Sequence, residues 1–398
     1  MKNLYLLALE YSVILTSDEA TYHSLPSLPL RLIPDFFPGS KYPPYGLRKI
    51  ESLVNGVVVP PHRIERYLRT DKVLGIYVND PLNQTEVSAK LSEIFGEPPY
   101  VFHAFQELSR RVSRLKDRYD FKVIVGGPGS WEFSLNTPEW VDTVLMGEAE
   151  ETLPKLLREG SDNLPKVVYG ERAKNFVAIR RPSSNAEVEV KRKDRKIPLE
   201  VVEAELEVQS RYHNYLNLIS DDLLSYGTED EILGLLRLAS SYGNEKKVVF
   251  SQISAESSYR FQLSKIREVL RLSENNWRSP LLINRPNSCV LGEIDTGVIK
   301  ELNKNFIYPM VYVPEERVGD FMDHKVLLIP LPQTEKFYDV LYKCWVHDKG
   351  VLRMRFSRVI DYVLDKNRET RGEYLKRLNV RGVHVFNLVL LLIRSYMW

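Results

Sequence analysis

Short apolar runs alternate with amphipathic stretches along most of this chain, and that alternation restricts its fold more than any other feature. From residue 1 to about 170, strand-like runs fall at Leu4–Leu9, Val57–Val59, Val73–Val78, Lys122–Val125 and Thr143–Met146. Helical stretches separate them at about Gly46–Val54, His62–Leu68, Thr85–Phe95, Ala104–Arg118 and Glu150–Arg158. Strand-then-helix units covering both faces of a parallel sheet produce this pattern. A second series begins near Asn175. Its strands are predicted at Phe176–Ile179, Glu187–Val190, Tyr215–Ser220, Lys247–Ser251, Leu281–Asn284, Ile307–Val313 and Val326–Ile329. The intervening helices fall at about Leu199–Tyr212, Glu229–Ser241, Tyr259–Arg271, Asp295–Asn303 and Glu335–Cys344. Repeated βα units of this length predict a barrel wall, whole or partial. Beyond Val351, the spacing of Phe356, Val359, Ile360, Val363 and Leu364 gives a helical stripe. The expected fold class is therefore α/β: a doubly wound parallel sheet over 1–170, a partial (β/α) barrel over 171–330 and a helical C-terminal extension over 331–398.

Composition narrows the chemistry. The 398 residues are 43% hydrophobic and 27% charged, with a net charge of +2 and two cysteines, Cys289 and Cys344. Two cysteines exclude a disulfide scaffold, and the absence of a recognisable secretory signal leads to the expectation of a cytoplasmic protein. The apolar run Phe386–Ile393 is far short of a membrane span. Abundant lysine, arginine and glutamate with scarce glutamine resemble a thermophile's composition. Histidines lack metal-ligand spacing, no Walker-type phosphate loop occurs, and no serine sits in a nucleophile elbow.

Three segments carry more information. They are Pro43-Pro44-Tyr45-Gly46-Leu47, then Val123-Ile124-Val125-Gly126-Gly127-Pro128-Gly129, then Val141-Asp142-Thr143-Val144-Leu145-Met146-Gly147-Glu148-Ala149-Glu150-Glu151-Thr152-Leu153. Gly126, Gly127 and Gly129 follow a strand, where a missing Cβ lets backbone approach another group closely. Gly147 ends the next strand, and Glu148 stands where acids suit a helix N-terminus. Ligands of open parallel sheets bind outside the carboxyl ends of strands, where both glycine segments lie. The same residues could simply shape turns and cap helices.

In that order and spacing, the segments resemble the cobalamin-binding domain that precedes many radical S-adenosylmethionine barrels. The resemblance implies a ligand site at Gly126, Gly127, Gly129, Gly147 and Glu148, with cobalamin or S-adenosylmethionine as possible cofactors. It also implies a CxxxCxxC motif after the first barrel strand. With Phe176–Ile179 as that strand, the three positions are Pro182, Ala186 and Glu189, and no cysteine occurs before Cys289. An iron–sulfur cluster needs clustered thiolates, so none is expected. Leu218-Ile219-Ser220-Asp221-Asp222 resembles the acidic pair at the end of the second barrel strand, which makes Asp221 and Asp222 cofactor-site candidates or, alternatively, a helix cap.

Charge is concentrated locally. Residues 172–196 hold nine basic and three acidic residues, and residues 349–381 hold ten and four. Lys191, Arg192, Lys193, Arg195 and Lys196 could contact phosphates or form an ordinary solvated face. Two functions are compatible with these features. The first is a degenerate, cluster-free relative acting as a binding or regulatory factor, with RNA, a ribonucleoprotein or another protein as partner. The second is a non-radical transferase of the methyltransferase kind that uses S-adenosylmethionine or cobalamin.

Overall fold

The computed structural model describes residues 12–25, 39–69, 72–134, 136–159, 165–242, 247–284, 294–331, 340, 343, 344 and 347. They fall into two compact units, Met1–Asn185 and Ala186–Trp398. The expected strand Leu4–Leu9, residue Cys289 and most of the C-terminal extension, including its helical stripe Phe356–Leu364, lie outside the described residues. Among those residues, no helix is long and apolar enough to cross a membrane.

The first unit is a parallel sheet of β1 (Val13–Ser17), β2 (Val57–Val58), β3 (Val73–Tyr77), β4 (Lys122–Gly126), β5 (Thr143–Met146) and β6 (Val167–Tyr169). Its order is β2-β1-β3-β4-β5-β6. Side chains alternate across it with the period of two that a strand imposes. Val13 and Leu15 pack with Leu47 of α2 (Tyr45–Leu53), on the face that α5 (Thr152–Glu159) also covers through Leu157. Ile14, Leu74, Ile76, Val123 and Val125 pack on the other face. There α4 (Tyr100–Lys116) buries Phe105, Leu108, Val112 and Leu115 at helical spacing. Two more helices follow strands of this sheet: the single turn α1 (Glu19–Tyr22), and α3 (Glu86–Phe95), which Thr85 caps and Gly96 ends in the left-handed conformation.

The second unit begins with β7 (Glu187–Glu189) and the hairpin of β8 (Lys191–Arg192) and β9 (Arg195–Lys196). Then come α6 (Leu199–Ser210), β10 (Tyr215–Ile219), α7 (Glu229–Tyr242), β11 (Lys247–Phe250), β12 (Gln252–Ser254), α8 (Ala255–Arg260), α9 (Leu263–Val269), β13 (Leu281–Ile283), α10 (Thr296–Lys304), β14 (Met310–Val313) and β15 (Leu327–Pro330). The strands form two parallel sheets, β11-β10-β7 and β12-β13-β14-β15. Ser251 joins them, because its N–H donates to Leu218 O at 3.1 Å and its carbonyl accepts from Leu281 N at 2.7 Å. The strands of the two sheets thus follow one another in sequence order, and among the described residues β7 and β15 do not pair.

Several expectations need correction. The strand β1 was hidden because its run ends in polar Thr16, Ser17 and Asp18, and the short edge strand β6 was also missed. Phe176–Ile179 is not a strand. That stretch and its continuation lie on α2 instead: Lys49 Nζ donates to Val177 O (2.6 Å), Arg48 Nε to Pro182 O (2.9 Å), and Arg181 pairs with Glu51 at 3.4 Å. Side-chain donors from α2 satisfy carbonyls that a strand would have offered to a neighbour. The first wall strand is therefore β7, paired with β10 in the register Leu218↔Val188. The segment Tyr259–Arg271 forms two helices rather than one, interrupted at Phe261 and Gln262.

Candidate functional site

The crevice outside β1 and β3 is where the strand order of the first unit reverses, the usual ligand position in such sheets. The end of β1 and the helical turn α1 that follows it bury polar atoms at this edge. Ser17 and Asp18 are 0% exposed and Thr21 is 8%. Ser17 Oγ has no hydrogen-bond partner, and Asp18 Oδ2 and Thr21 Oγ1 have none beyond the contact of the Thr21 hydroxyl with the Asp18 carboxyl. The other carboxylate oxygen, Asp18 Oδ1, accepts from Thr21 N at 2.9 Å and caps α1. Burial pushes Asp18 up to about 6, against the opposing pull of its bonds to Thr21. Beside it, His23 Nε2 lies 3.2 Å from Glu19 Oε1, which raises the imidazole and lowers the carboxyl.

One strand further along, a second acid group is buried. Glu132, 2% exposed, lies in the 3₁₀ turn after β4 and accepts from Leu82 N at 2.6 Å through Oε2. Asp80, in the loop after β3, accepts from Thr85 N (3.4 Å), Thr85 Oγ1 (3.0 Å) and Ser88 Oγ. Burial, reinforced by the neighbouring Asp80, pushes Glu132 up to about 8. At neutral pH this carboxyl is mostly protonated.

The glycines expected to cradle a ligand meet protein backbone instead. A Cβ on Gly127, whose φ is +110°, would lie 2.5 Å from Val78 O. On Gly129 it would lie 2.3 Å from Asn79 O. The absent side chains let the β4 loop close against the β3 loop. At Gly126 the nearest atom, Leu145 O, is at an ordinary 3.6 Å, and Gly147 has φ +94° with nothing closer than 3.6 Å. Glu148 Oε2 accepts from Ala173 N (2.7 Å), and Glu151 Oε1 accepts from Lys174 N and Asn175 N (3.0 and 3.1 Å). These acids therefore fasten the chain leaving β6.

In the second unit, Asp222 is buried at the carboxyl end of β10. Its oxygens accept from Leu224 N (3.1 Å), Ser254 N (3.1 Å), Ser254 Oγ (2.8 Å) and Ser257 Oγ (3.0 Å). It caps the turn Leu223–Ser225 and ties β10 to the start of α8, which leaves little acceptor capacity for a ligand. Asp221 Oδ2 accepts from Lys193 N at 2.9 Å. The basic hairpin is engaged within the chain as well. Arg192 makes a two-pronged pair with Glu189 (2.6 and 2.7 Å), and Lys191 Nζ bonds Ser225. Lys196 pairs with Glu231 at 2.5 Å and lies 5.0 Å from the Tyr226 ring centroid. Lys193 is exposed, and Arg195 is half-buried. None of the positions matched to the cluster motif offers a thiolate: Pro182 is a loop proline, Ala186 is fully buried and Glu189 holds Arg192. Cys344 is a buried thiol. An iron–sulfur cluster does not fit these residues.

No family model and no curated protein sequence matches the chain. Among solved structures it is similar to that of the cobalamin-dependent S-adenosylmethionine radical enzyme OxsB with aqua-cobalamin bound, at 10% identity and a TM-score of 0.47. That neighbour binds cobalamin. The match covers 87% of this chain and 56% of the neighbour, so the chain spans about half of that protein's length.

Sequence reading missed Ser17, Asp18, Thr21, Asp80 and Glu132. A signal existed at the first of these sites: the polar triplet Thr16-Ser17-Asp18 directly follows the β-branched start of a strand.

Proposed function

We propose that this chain is a ligand-binding α/β protein whose first unit holds a donor-rich small molecule, not an anion, outside β1 and β3, and that it does so without an iron–sulfur cluster. The reading rests on Ser17 Oγ, Asp18 Oδ2 and Thr21 Oγ1, buried within five residues of one another at the strand-order reversal and, apart from the Thr21–Asp18 contact, without partners. A buried polar atom with no partner costs about 1–3 kcal/mol, an amount that an occupant able to bond these atoms would offset. Amide or hydroxyl donors would meet all three, whereas a phosphate would be repelled by ionised Asp18.

Cobalamin, ringed by amide side chains, and S-adenosylmethionine, with its ribose hydroxyls and ammonium group, both belong to this donor-rich class. When bound, cobalamin supplies a cobalt centre able to accept and donate alkyl groups. The work of Ser17, Asp18 and Thr21 would be to orient its rim. In this reading the second unit is an open barrel of βα units, its wall strands following one another in sequence order and Asp222 bracing its carboxyl edge.

Equilibrium dialysis of the full chain against cyanocobalamin and, separately, S-adenosylmethionine tests the proposal. Saturable binding of one of them is expected, weakened at least about tenfold in the Ser17→Ala, Thr21→Val double variant by loss of about 1.4 kcal/mol or more. Ser17→Ala alone should stabilise the ligand-free protein by up to about 1 kcal/mol, because it deletes an unpaired hydroxyl. Absence of saturable binding to both probes, with Ser17→Ala less stable than the parent, overturns the ligand reading. Iron and sulfide at about one cluster per chain after anaerobic reconstitution overturns the cluster-free part.

A further inference from the structure

The opposite edge of the second unit's wall gathers cations around aromatic rings. Lys247 opens β11, Trp277 and Arg278 precede β13, Tyr308 precedes β14 and Lys325 precedes β15. The rings of Trp277 and Tyr308 lie 5.5 Å apart at 35°. Lys247 Nζ is 5.2 Å from the Trp277 centroid, and Lys325 Nζ is 5.2 Å from that of Tyr308.

Arg278 is the unusual member. It is 3% exposed, yet no carboxylate among the described residues pairs with it. Its guanidinium is fixed by neutral acceptors alone: Nε donates to Val248 O, and Nη1 donates to Asn276 Oδ1 (2.7 Å) and Trp277 O (3.0 Å). Nη2 makes no hydrogen bond to a described residue. A buried charge without a counter-ion is costly, and neutral acceptors offset that cost only in part. Lys247 stands beside it, likewise without a carboxylate among the described residues, and the two like charges disfavour each other. Burial first, then the Arg278 charge, pull the Lys247 ammonium down to about 8, and burial pulls Arg278 down to about 10. The amino edge of a barrel wall ordinarily serves stability. A cluster serving stability alone would ordinarily pair its buried guanidinium with an acid, and among the described residues this one has none.

We infer that Lys247 and Arg278 form a binding site for a phosphate group, with the free Nη2 edge of Arg278 and the Lys247 ammonium as its donors. A guanidinium already fixed in orientation offers its remaining edge to a tetrahedral oxyanion with little further ordering, and two adjacent cations favour a dianion. The site stands on different residues from the crevice at Ser17 and does not depend on it. Among the described residues, the groups facing Lys247 are Arg278 and Trp277 from the segment entering β13, and Tyr215, its register partner on β10. Burial pushes Tyr215 up to about 12, so it is neutral in the working range.

Thermal unfolding of the full chain, with inorganic phosphate replacing chloride at matched ionic strength, tests the site. At about pH 7 the parent's midpoint should rise by about 3 °C at saturating phosphate. The rise should survive in Lys247→Arg, disappear in Lys247→Met, and shrink at about pH 9.5, where Lys247 is neutral. A parallel titration with adenosine monophosphate separates the sources: a larger rise than with inorganic phosphate assigns the site to a nucleotide, and an equal or smaller rise assigns it to the free ion. A parent with no phosphate-specific rise, or a Lys247→Met protein with the whole of it, overturns the inference.

Discussion

The two units close the carboxyl edges of their strands by different means. In the first, glycine backbone packs directly on backbone at Gly127 and Gly129, while Ser17, Asp18 and Thr21 remain buried without full hydrogen bonding. In the second, one carboxylate, Asp222, collects four donors and ties two strand ends together. An edge whose acceptors are satisfied is complete in itself, whereas each unpaired buried atom leaves a cost of about 1–3 kcal/mol that a bound group would offset. The contrast supports the ligand site proposed for the first unit and makes Asp222 a brace in the second.

Their displaced ionisable groups also differ in sign. Desolvation disfavours charge everywhere, so it raises the acids Asp18 and Glu132 in the first unit and lowers the bases Lys247 and Arg278 in the second. An acid raised on folding contributes stability that is present below its unfolded value and lost as pH rises through its folded one. For Asp18 that loss runs from about 4 to about 6, and for Glu132 from about 4.5 to about 8. For Lys247 the unfolded chain holds the extra proton between about 8 and 10.5, so stability rises with pH across that window.

The largest expected effect separates the two kinds of edge. Gly127→Val should cost on the order of 4 kcal/mol, since it combines a strained φ with a Cβ driven into Val78 O. Asp222→Ala should cost about 3 kcal/mol by leaving several donors unpaired. Chemical denaturation followed by a probe in each unit distinguishes them: Gly127→Val should act on the first and Asp222→Ala on the second. Equal effects of each variant on both probes would break the comparison and make the chain one cooperative body.

A smaller effect tests the acids. Glu132→Gln keeps an acceptor for Leu82 N but cannot ionise, so it should flatten the decline in stability between about pH 5 and 8 and gain about 1–2 kcal/mol near pH 8. An unchanged pH profile of urea unfolding would show that Glu132 does not titrate as its burial demands.

The hairpin pairs an effect of similar size with the smallest one expected. Arg192→Ala leaves the buried Glu189 carboxylate without its partner and should cost about 2 kcal/mol, while Lys193→Ala should stay within about 0.5 kcal/mol. Comparable midpoints for the two variants would return the hairpin to an ordinary solvated face. With Arg192 and Lys196 paired and Lys191 bonded to Ser225, the segment offers an RNA partner fewer free cations than its composition suggests.

Much of the architecture was legible because hydrophobic periodicity is local. The strand at Thr143–Met146 was read with the bounds it has, and those at 122–126, 215–219 and 281–283 to within a residue. Phe176–Ile179 misled for an equally local reason: it has a strand's composition, but its backbone partners are side chains on α2, distant in sequence. The motif glycines were legible as points of close approach, although the group approached was not, because Val78 O and Asn79 O reach Gly127 and Gly129 only once β3 and β4 lie side by side.

The sequence by itself determined the βα alternation and the absence of clustered thiolates, since period and residue type need no neighbours to be read. Only the tertiary structure decided which polar groups are left unpaired. Nothing in Ser17-Asp18 or in Arg278 as letters distinguishes them from Asp222 or Arg192. The distinction arises from burial and from the partners that folding brings, or fails to bring, within hydrogen-bonding distance.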